Sequence, residues 1–328
     1  MANLRKTVLI TGGCGFLGSH LAESHLKDGY RVVCVDNFST GSRSNESYLR
    51  ALGSENLQIV EADVIEAWST WADELPTEWL ADLAYVFHFA SPASPPLYQE
   101  LALETMWVNS IGLSNALFFA DKFGARVIFA STSEIYGDPE FSPQPETYKG
   151  NVNTVGPRSC YDEAKRFGES LLFTHNWKKK TSHGMVRIFN TYGPRMNPVD
   201  GRVVINFLVQ ALQNSPLTIY GDGSQTRSFC YVDDLVRGIR AYAKSENILP
   251  INIGNPVEFS IRQLTDEIQK LFPSKKFELS FHPFPQDDPK QRRPDITQAR
   301  TRLAWEPQVS LADGLSRMLE WLKTQSLS

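Results

Sequence analysis

The chain has 328 residues, with 33 Lys and Arg against 37 Asp and Glu, for a formal net charge of −4. That balance offers no long-range attraction to nucleic acid or an anionic membrane, although a few local arginines can still hold a small anion. Hydrophobic residues make up 41%, enough for a large core. Four scattered cysteines, Cys14, Cys34, Cys160 and Cys230, have neither disulfide-scaffold density nor metal-type spacing, so no metal is expected. The opening residues lack an apolar leader, and no run approaches about 18 apolar residues; the expectation is a cytoplasmic protein without a membrane span.

In chain order, residues 7–11 (Thr-Val-Leu-Ile-Thr) read as a buried strand, followed by a glycine cluster and a helix that Gly29 stops. Further strands are predicted at 31–36, 57–63, 84–89 and 126–130, with helices at 104–123 and 162–177 between or after them. Strands alternating with helices predict an α/β fold, a doubly wound parallel sheet covered on both faces. After about residue 190 the rhythm changes. A helix is expected over 203–213, short strands around Tyr220-Gly-Asp-Gly223, a helix over 233–244, and helix caps at Ser260 and Ser310. Residues 282–295, rich in Pro, Gln, Asp and Arg, read as a loop. The division is a Rossmann-type half over 1–190, with a return near 230–255, and a smaller α/β substrate half over 191–328.

Gly13, Gly15 and Gly18 satisfy G-x-G-x-x-G between the first strand and its helix, and Gly12 adds G-x-x-G-x-x-G. Such glycines let a pyrophosphate approach a helix N-terminus, where free N–H groups favour anions. The second strand ends in Asp36, placed to accept hydrogen bonds from both ribose hydroxyls and to repel a 2′-phosphate, which favours NAD over NADP. His88 reads as packed within a strand, Asn109 as a buried amide able to bridge backbone groups, and Lys178-Lys179-Lys180 as a solvated helix end.

Tyr161 and Lys165 lie four apart on one helix face. A tyrosine with an ordinary pKa of about 10 needs nearby positive charge to act as a base, which Lys165 and a bound nicotinamide would supply. Ser131-Thr-Ser-Glu-Ile-Tyr-Gly137 directly follows the fifth strand, where hydroxyls face the ligand crevice.

Together these pieces resemble the extended short-chain dehydrogenase/reductase superfamily of NAD-dependent nucleotide-sugar epimerases and dehydratases. Longer strings resemble its UDP-glucuronate decarboxylase (UDP-xylose synthase) branch: His88–Pro96, Ser131–Pro139, Gly156–Arg166, Arg187–Met196, Asp200–Val204, Gln225–Phe229, Gln286–Pro289 and Arg292–Asp295. The resemblance implies NAD held by Gly12, Gly15, Phe16, Leu17, Gly18, Asp36, Asn37, Phe38, Thr40, Gly41, Asp63, Val64, Ala90, Ser91, Tyr161 and Lys165. Tyr161 would move the sugar 4-OH proton and Thr132 would bond the C4 oxygen. Ser133 and Glu134 would stand near C5 and the carboxylate, aiding decarboxylation or reprotonation. Asn190, Arg202, Tyr220, Arg227 and Arg292 would hold the nucleotide, with Tyr220 on the uracil and Arg227 and Arg292 on the diphosphate. A homodimer is also implied.

Dehydratases of this superfamily carry an acidic pair after the threonine, and Ser133 stands in place of the first acid. The chain departs from the branch at Trp107, where Lys is usual, at Tyr148-Lys-Gly-Asn151, and in a long Trp-bearing stretch over 61–82. These departures bear on the identity of the sugar acid. Rival readings are an oxidative decarboxylase releasing a 4-keto-pentose and NADH, a uronic acid 4-epimerase, and a non-catalytic dinucleotide sensor. Retention of Tyr161, Lys165 and Thr132 argues against the last.

Overall fold

Five consecutive buried residues, Thr7–Thr11, make β1 of a computed structural model that describes residues 6–52 and 55–325. Residues 1–5, part of the leader reading, lie outside the described residues. β2 (Arg31–Asp36), β3 (Leu57–Glu61), β4 (Leu83–His88), β5 (Arg126–Thr132) and β6 (Gly184–Ile188) follow. Short strands β7 (Thr191–Tyr192), β8 (Leu217–Tyr220), β9 (Thr226–Ser228) and β10 (Cys230–Tyr231) precede β11 (Ile251–Ile253), which returns beside β6. The resulting seven-stranded sheet has the order β3-β2-β1-β4-β5-β6-β11 and is parallel throughout. The order reverses between β1 and β4, and ligand crevices open at the strand C-termini beside such a reversal.

Alternation along β1 divides the core. Val8 and Ile10 face one layer with Val32, Cys34 and Phe87, while Leu9 faces the other with Val33, Val35 and Val86. Helices α1 (Phe16–Lys27), α2 (Arg43–Ala51), α3 (Ser69–Ala72), α4 (Thr77–Ala81), α5 (Pro95–Glu100), α6 (Ala102–Trp107), α7 (Leu113–Phe123) and α8 (Ser159–Lys179) accompany the first six strands. The Trp-bearing stretch forms α3 and α4. Trp68, Trp71 and Trp79 are buried, and the rings of Trp68 and Phe119 lie 5.0 Å apart. The tryptophans of this stretch therefore extend the core, while its first residues, Ala62 to Ile65, border the crevice.

α9 (Val203–Leu212), α10 (Val232–Lys244), α11 (Ile261–Leu271), α12 (Thr297–Leu303) and α13 (Leu311–Leu322) complete the helices. Ser260 and Ser310 cap α11 and α13 through side-chain oxygens, Ser260 in a reciprocal capping box with Gln263. The remaining strands are β12 (Glu258–Ser260), β13 (Leu279–His282) and β14 (Gln291–Arg292). Apolar residues of α9, α10, α13 and β8 share one core layer with the sheet.

Three local readings differ most from the structure. β5 runs two residues further than expected and takes in Ser131 and Thr132, because pairing with β6 continues to Ile188. β3 ends at Glu61, so Asp63 and Val64 belong to the loop beyond it. The stretch 104–123 is not one α-helix: a π-helical turn over Val108–Gly112 separates α6 from α7. The short strands expected around Tyr220-Gly-Asp-Gly223 are β8 and β9, of which β8 pairs with β13 while β9 pairs with β12 and β14. The 282–295 loop is thereby anchored at both ends by strands. Among the described residues no helix is long and apolar enough to cross a membrane.

Candidate active site

The glycine loop ends at Gly15, the N-cap of α1, and the first turn of that helix carries no acidic residue. Its free N–H groups and positive dipole end are left for an anion. A Cβ on Gly18 would lie 2.0 Å from the Gly12 carbonyl oxygen, so only glycine lets loop and helix touch. Asp36 ends β2, buried, and accepts from Cys14 N and Phe38 N at 2.9 Å each. Burial pushes its carboxyl pKa up, and those two bonds pull it back.

Two adjoining cavities follow the strand ends. The smaller, about 60 Å³, is lined by Gly12, Asp36, Asn37, Thr40, Asp63, Val64, Ala90 and Ser91. The larger, about 630 Å³, runs from Gly15, Phe16, Leu17, Gly18 and Gly41 past Thr132, Ser133, Glu134, Tyr161 and Lys165 to Asn190, Arg202, Tyr220, Arg227 and Arg292. Every residue that the resemblance assigns to NAD, catalysis or substrate lines one of the two except Phe38. Its ring instead lies under the Arg43 guanidinium at 3.5 Å, and it contributes its backbone N–H to Asp36. A dinucleotide fits this donor set: helix-end N–H groups for the pyrophosphate and an acceptor carboxylate beyond them for a ribose.

β5 delivers Thr132 to the crevice, and a 3-10 turn over Ser133–Tyr136 presents Ser133 and Glu134. The Thr132 side chain caps that turn, accepting from Glu134 N at 3.2 Å. Tyr161 sits in the first turns of α8, stacked on Tyr98 with ring centroids 4.9 Å apart. Lys165 donates to the Ala130 carbonyl at 2.8 Å, and burial lowers its pKa to about 7. The tyrosine is buried between these groups. Burial raises the Tyr161 pKa, and the hydrogen bond with Thr132 and the charge of Arg202 offset this only in part. Lys165 Nζ lies 5.7 Å from the Tyr161 ring centroid and 4.9 Å from that of Phe129, so its charge stands close to the tyrosine while its hydrogen bond goes to the Ala130 carbonyl.

The arginines pair with carboxylates of the chain itself. Arg292 grips Glu134 with both terminal nitrogens, Nη2 reaching Oε2 at 2.6 Å. Arg158 donates to the same Oε2 at 2.5 Å. Burial pushes the Glu134 pKa up, but the two guanidiniums overcome it and hold the carboxyl well below the usual range. Arg227 pairs with Asp288 at 2.7 Å. Arg202 pairs with Asp200 at 2.5 Å and lies 6.0 Å from the Phe16 ring, beside the glycine-loop helix rather than at the uracil end. Tyr220, 46% exposed, and Asn190 line the far part of the cavity.

Arg158, Asp288, Tyr98 and Asp162 carry no role in the sequence reading. Arg158 and Asp162 fall inside the string Gly156–Arg166 and Asp288 inside Gln286–Pro289, so the strings held the signal but not the pairing. Trp107 and Lys149 line neither cavity. Trp107 is exposed on α6 and Lys149 is exposed in a loop, so these departures leave the sugar pocket itself unchanged. His88 is buried between Thr11 and the Val108 carbonyl, and burial lowers its pKa to about 3. Asn109 donates to Ser91 Oγ at 3.0 Å and to the Thr105 carbonyl at 2.8 Å.

Residues 8–254 match the NAD dependent epimerase/dehydratase family. The chain belongs to that family. Members of this family similar to it include the UDP-glucuronic acid decarboxylase 1 of Xenopus tropicalis, 45% identical over 98% of this chain and 73% of that one. The UDP-glucuronic acid decarboxylase 5 of Arabidopsis thaliana is 43% identical over 97% and 89%. Among solved structures, the UDP-glucuronic acid 4-epimerase of Bacillus cereus, in complex with UDP-glucuronic acid and NAD, has a TM-score of 0.84 at 28% identity, covering 97% of this chain and 99% of that one. NAD is the cofactor of this family member.

Proposed function

We propose that the protein converts UDP-glucuronate to UDP-xylose and carbon dioxide through a 4-keto intermediate, with no net change in its NAD. The observation that carries this reading is the state of Glu134. Clamped by Arg158 and Arg292, it stays ionised, and its neighbour Ser133 is no acid. A sugar hydroxyl cannot leave without a proton donor, whereas a carboxylate β to a ketone departs as neutral carbon dioxide without one. The electron pair of the broken bond stays on the substrate as the C4 enolate, whose oxygen Thr132 and Tyr161 would face.

Bound NAD supplies hydride acceptance and return at C4. Tyr161 exchanges the 4-hydroxyl proton, with Thr132 orienting the same oxygen. Lys165, its pKa near neutral, supports the phenolate only while protonated. Arg227 would meet the diphosphate, and Tyr220, whose ring is exposed in the same cavity, would stack on the uracil.

A second copy is the expected partner. Leu103, Met106, Trp107 and Phe118 of α6 and α7, with Ile111 between them, and Phe167, Phe173 and Trp177 of α8 are all exposed. An apolar face shared by α6, α7 and α8 can match itself across a two-fold axis, and exposed apolar side chains grouped in this way mark an association surface.

The deciding experiment supplies UDP-glucuronate and measures carbon dioxide, nucleotide-sugar product and nicotinamide absorbance together. Equal carbon dioxide and UDP-xylose with no accumulating NADH is the expected result. Stoichiometric NADH would assign the oxidative release of a keto-pentose instead. A uronic acid epimer without carbon dioxide would overturn decarboxylation.

A further inference from the structure

Five charged groups alternate along the substrate side of the cleft, in the order Arg292, Glu134, Arg158, Asp288 and Arg227. Asp288 is the one without a task in the chemistry above. Its Oδ1 accepts from Arg158 Nη1 at 3.2 Å and its Oδ2 from Arg227 Nη2 at 2.7 Å. Arg227 Nη1 is taken by backbone, the carbonyls of Thr226 and Lys290. Arg158 Nη2 is committed to Glu134. Asp288 therefore occupies the outward-facing terminal nitrogen of each arginine.

The exposures are unequal. The guanidinium side chains of Arg158 and Arg227 are 6% and 8% exposed, whereas Asp288 is 24% exposed at the cavity wall. The cations cannot turn to water, but the carboxylate can, by rotation about its own two bonds. With Asp288 in place the five groups carry one net positive charge; with it turned away they carry two, the charge that balances a diphosphate. A buried guanidinium without an anion is costly, so a free site needs a counterion that a ligand can replace.

We propose that Asp288 is that resident counterion: it neutralises Arg227 and Arg158 in the free protein and yields Arg227 to the diphosphate of the nucleotide sugar. The inference rests on the UDP-sugar reading above and deepens it by naming what the diphosphate displaces. Asp288 then sets affinity by competition, as a positioning residue, without touching the reacting carbons. The groups facing it are Arg158 from the start of α8 and Arg227 from β9. Its neighbour Asp287 is held separately by Asn153 Nδ2 at 3.0 Å.

The test uses UDP alone as ligand of the NAD-loaded protein, by calorimetry and by thermal melting. Asp288→Asn keeps the shape and removes the charge. It is expected to tighten UDP at least about 5-fold, since a like charge near the diphosphate is gone. Free Asp288→Asn should melt lower than wild type, and UDP should raise its melting temperature by more. Asp288→Glu, which keeps the charge, should bind UDP within about 2-fold of wild type. UDP binding that is unchanged or weaker in Asp288→Asn would overturn the proposal, since a purely structural or ligand-holding Asp288 gives that result. An Asp288→Glu protein binding as tightly as Asp288→Asn would overturn it too. Carbon dioxide release is not the readout, so failure of the decarboxylation reading would leave this result decisive on its own.

Discussion

Arg292 and Glu134, 158 positions apart in the chain, meet in a two-pronged ion pair at the mouth of the catalytic turn. β14 places Arg292 in register with Arg227 of β9, and the 3-10 turn after β5 brings Glu134 to it. Glu134→Gln would leave Arg158 and Arg292 buried against a neutral amide. Breaking such a pair costs about 3 kcal/mol. The melting temperature should fall accordingly, and carbon dioxide release should drop by about 100-fold or more. Arg292→Lys, with one point charge for two prongs, should lose most of the same activity.

Tyr161→Phe removes the group that exchanges the C4 proton while keeping the ring stacked on Tyr98. Turnover should fall by about 10³-fold or more. NAD binding, measured directly by calorimetry, should stay close to wild type. Activity within 10-fold of wild type would remove Tyr161 from the proton-transfer role.

Asp162 is buried beside Arg158, whose Nε lies 4.0 Å from its Oδ2. Burial first, then the charge of Glu134, raises its pKa well above the ordinary 3.8. The folded protein thus binds a proton that the unfolded chain releases. The stabilising contribution is full below pH 3.8 and is lost as pH rises through the raised folded value. Asp162→Asn removes that dependence. Its stability advantage over wild type should grow by about 1–3 kcal/mol between mildly acidic and mildly basic pH. Denaturant melts at both ends of that range check the sign; a constant difference would mean that the carboxyl does not titrate in the fold.

Gly41 passes so close to Asp36 that an added Cβ would lie 2.4 Å from its Oδ1. Gly41→Ala should turn the carboxylate away from the ribose position. The loss of charge-assisted hydrogen bonds predicts NAD binding weaker by about 10-fold or more, and the NAD-free protein should melt lower as well, because Asp36 also gives up the bonds from Cys14 N and Phe38 N.

The exposed aromatic face of α8 predicts the effect of charge on assembly. Phe173→Glu with Trp177→Glu should give a monomer by light scattering, where the unchanged protein gives a dimer. A monomeric wild type at micromolar concentration would remove the partner reading.

Much of this was legible in local sequence. The turn after β1, the helix behind it, Asp36 at the next strand end and the four-residue step from Tyr161 to Lys165 are short-range features. Each follows from backbone sterics, helix ends or helical period, which a few neighbouring residues specify. The sequence also bounded the whole: a balanced net charge gave no long-range reason to expect nucleic acid, yet left room for clustered arginines.

Which anion each arginine meets was decided only by the tertiary structure. Arg292 lies on Glu134 and Arg227 on Asp288 because β14 and β9 pair in parallel below the catalytic turn. Arg202 stands by Phe16 because the segment before α9 crosses to the glycine-loop helix. The Tyr161 pKa is raised because burial outweighs the charges that reach it. Sequence spacing reports which groups are present; ion pairing and desolvation depend on distances across the fold, between residues that no local pattern relates.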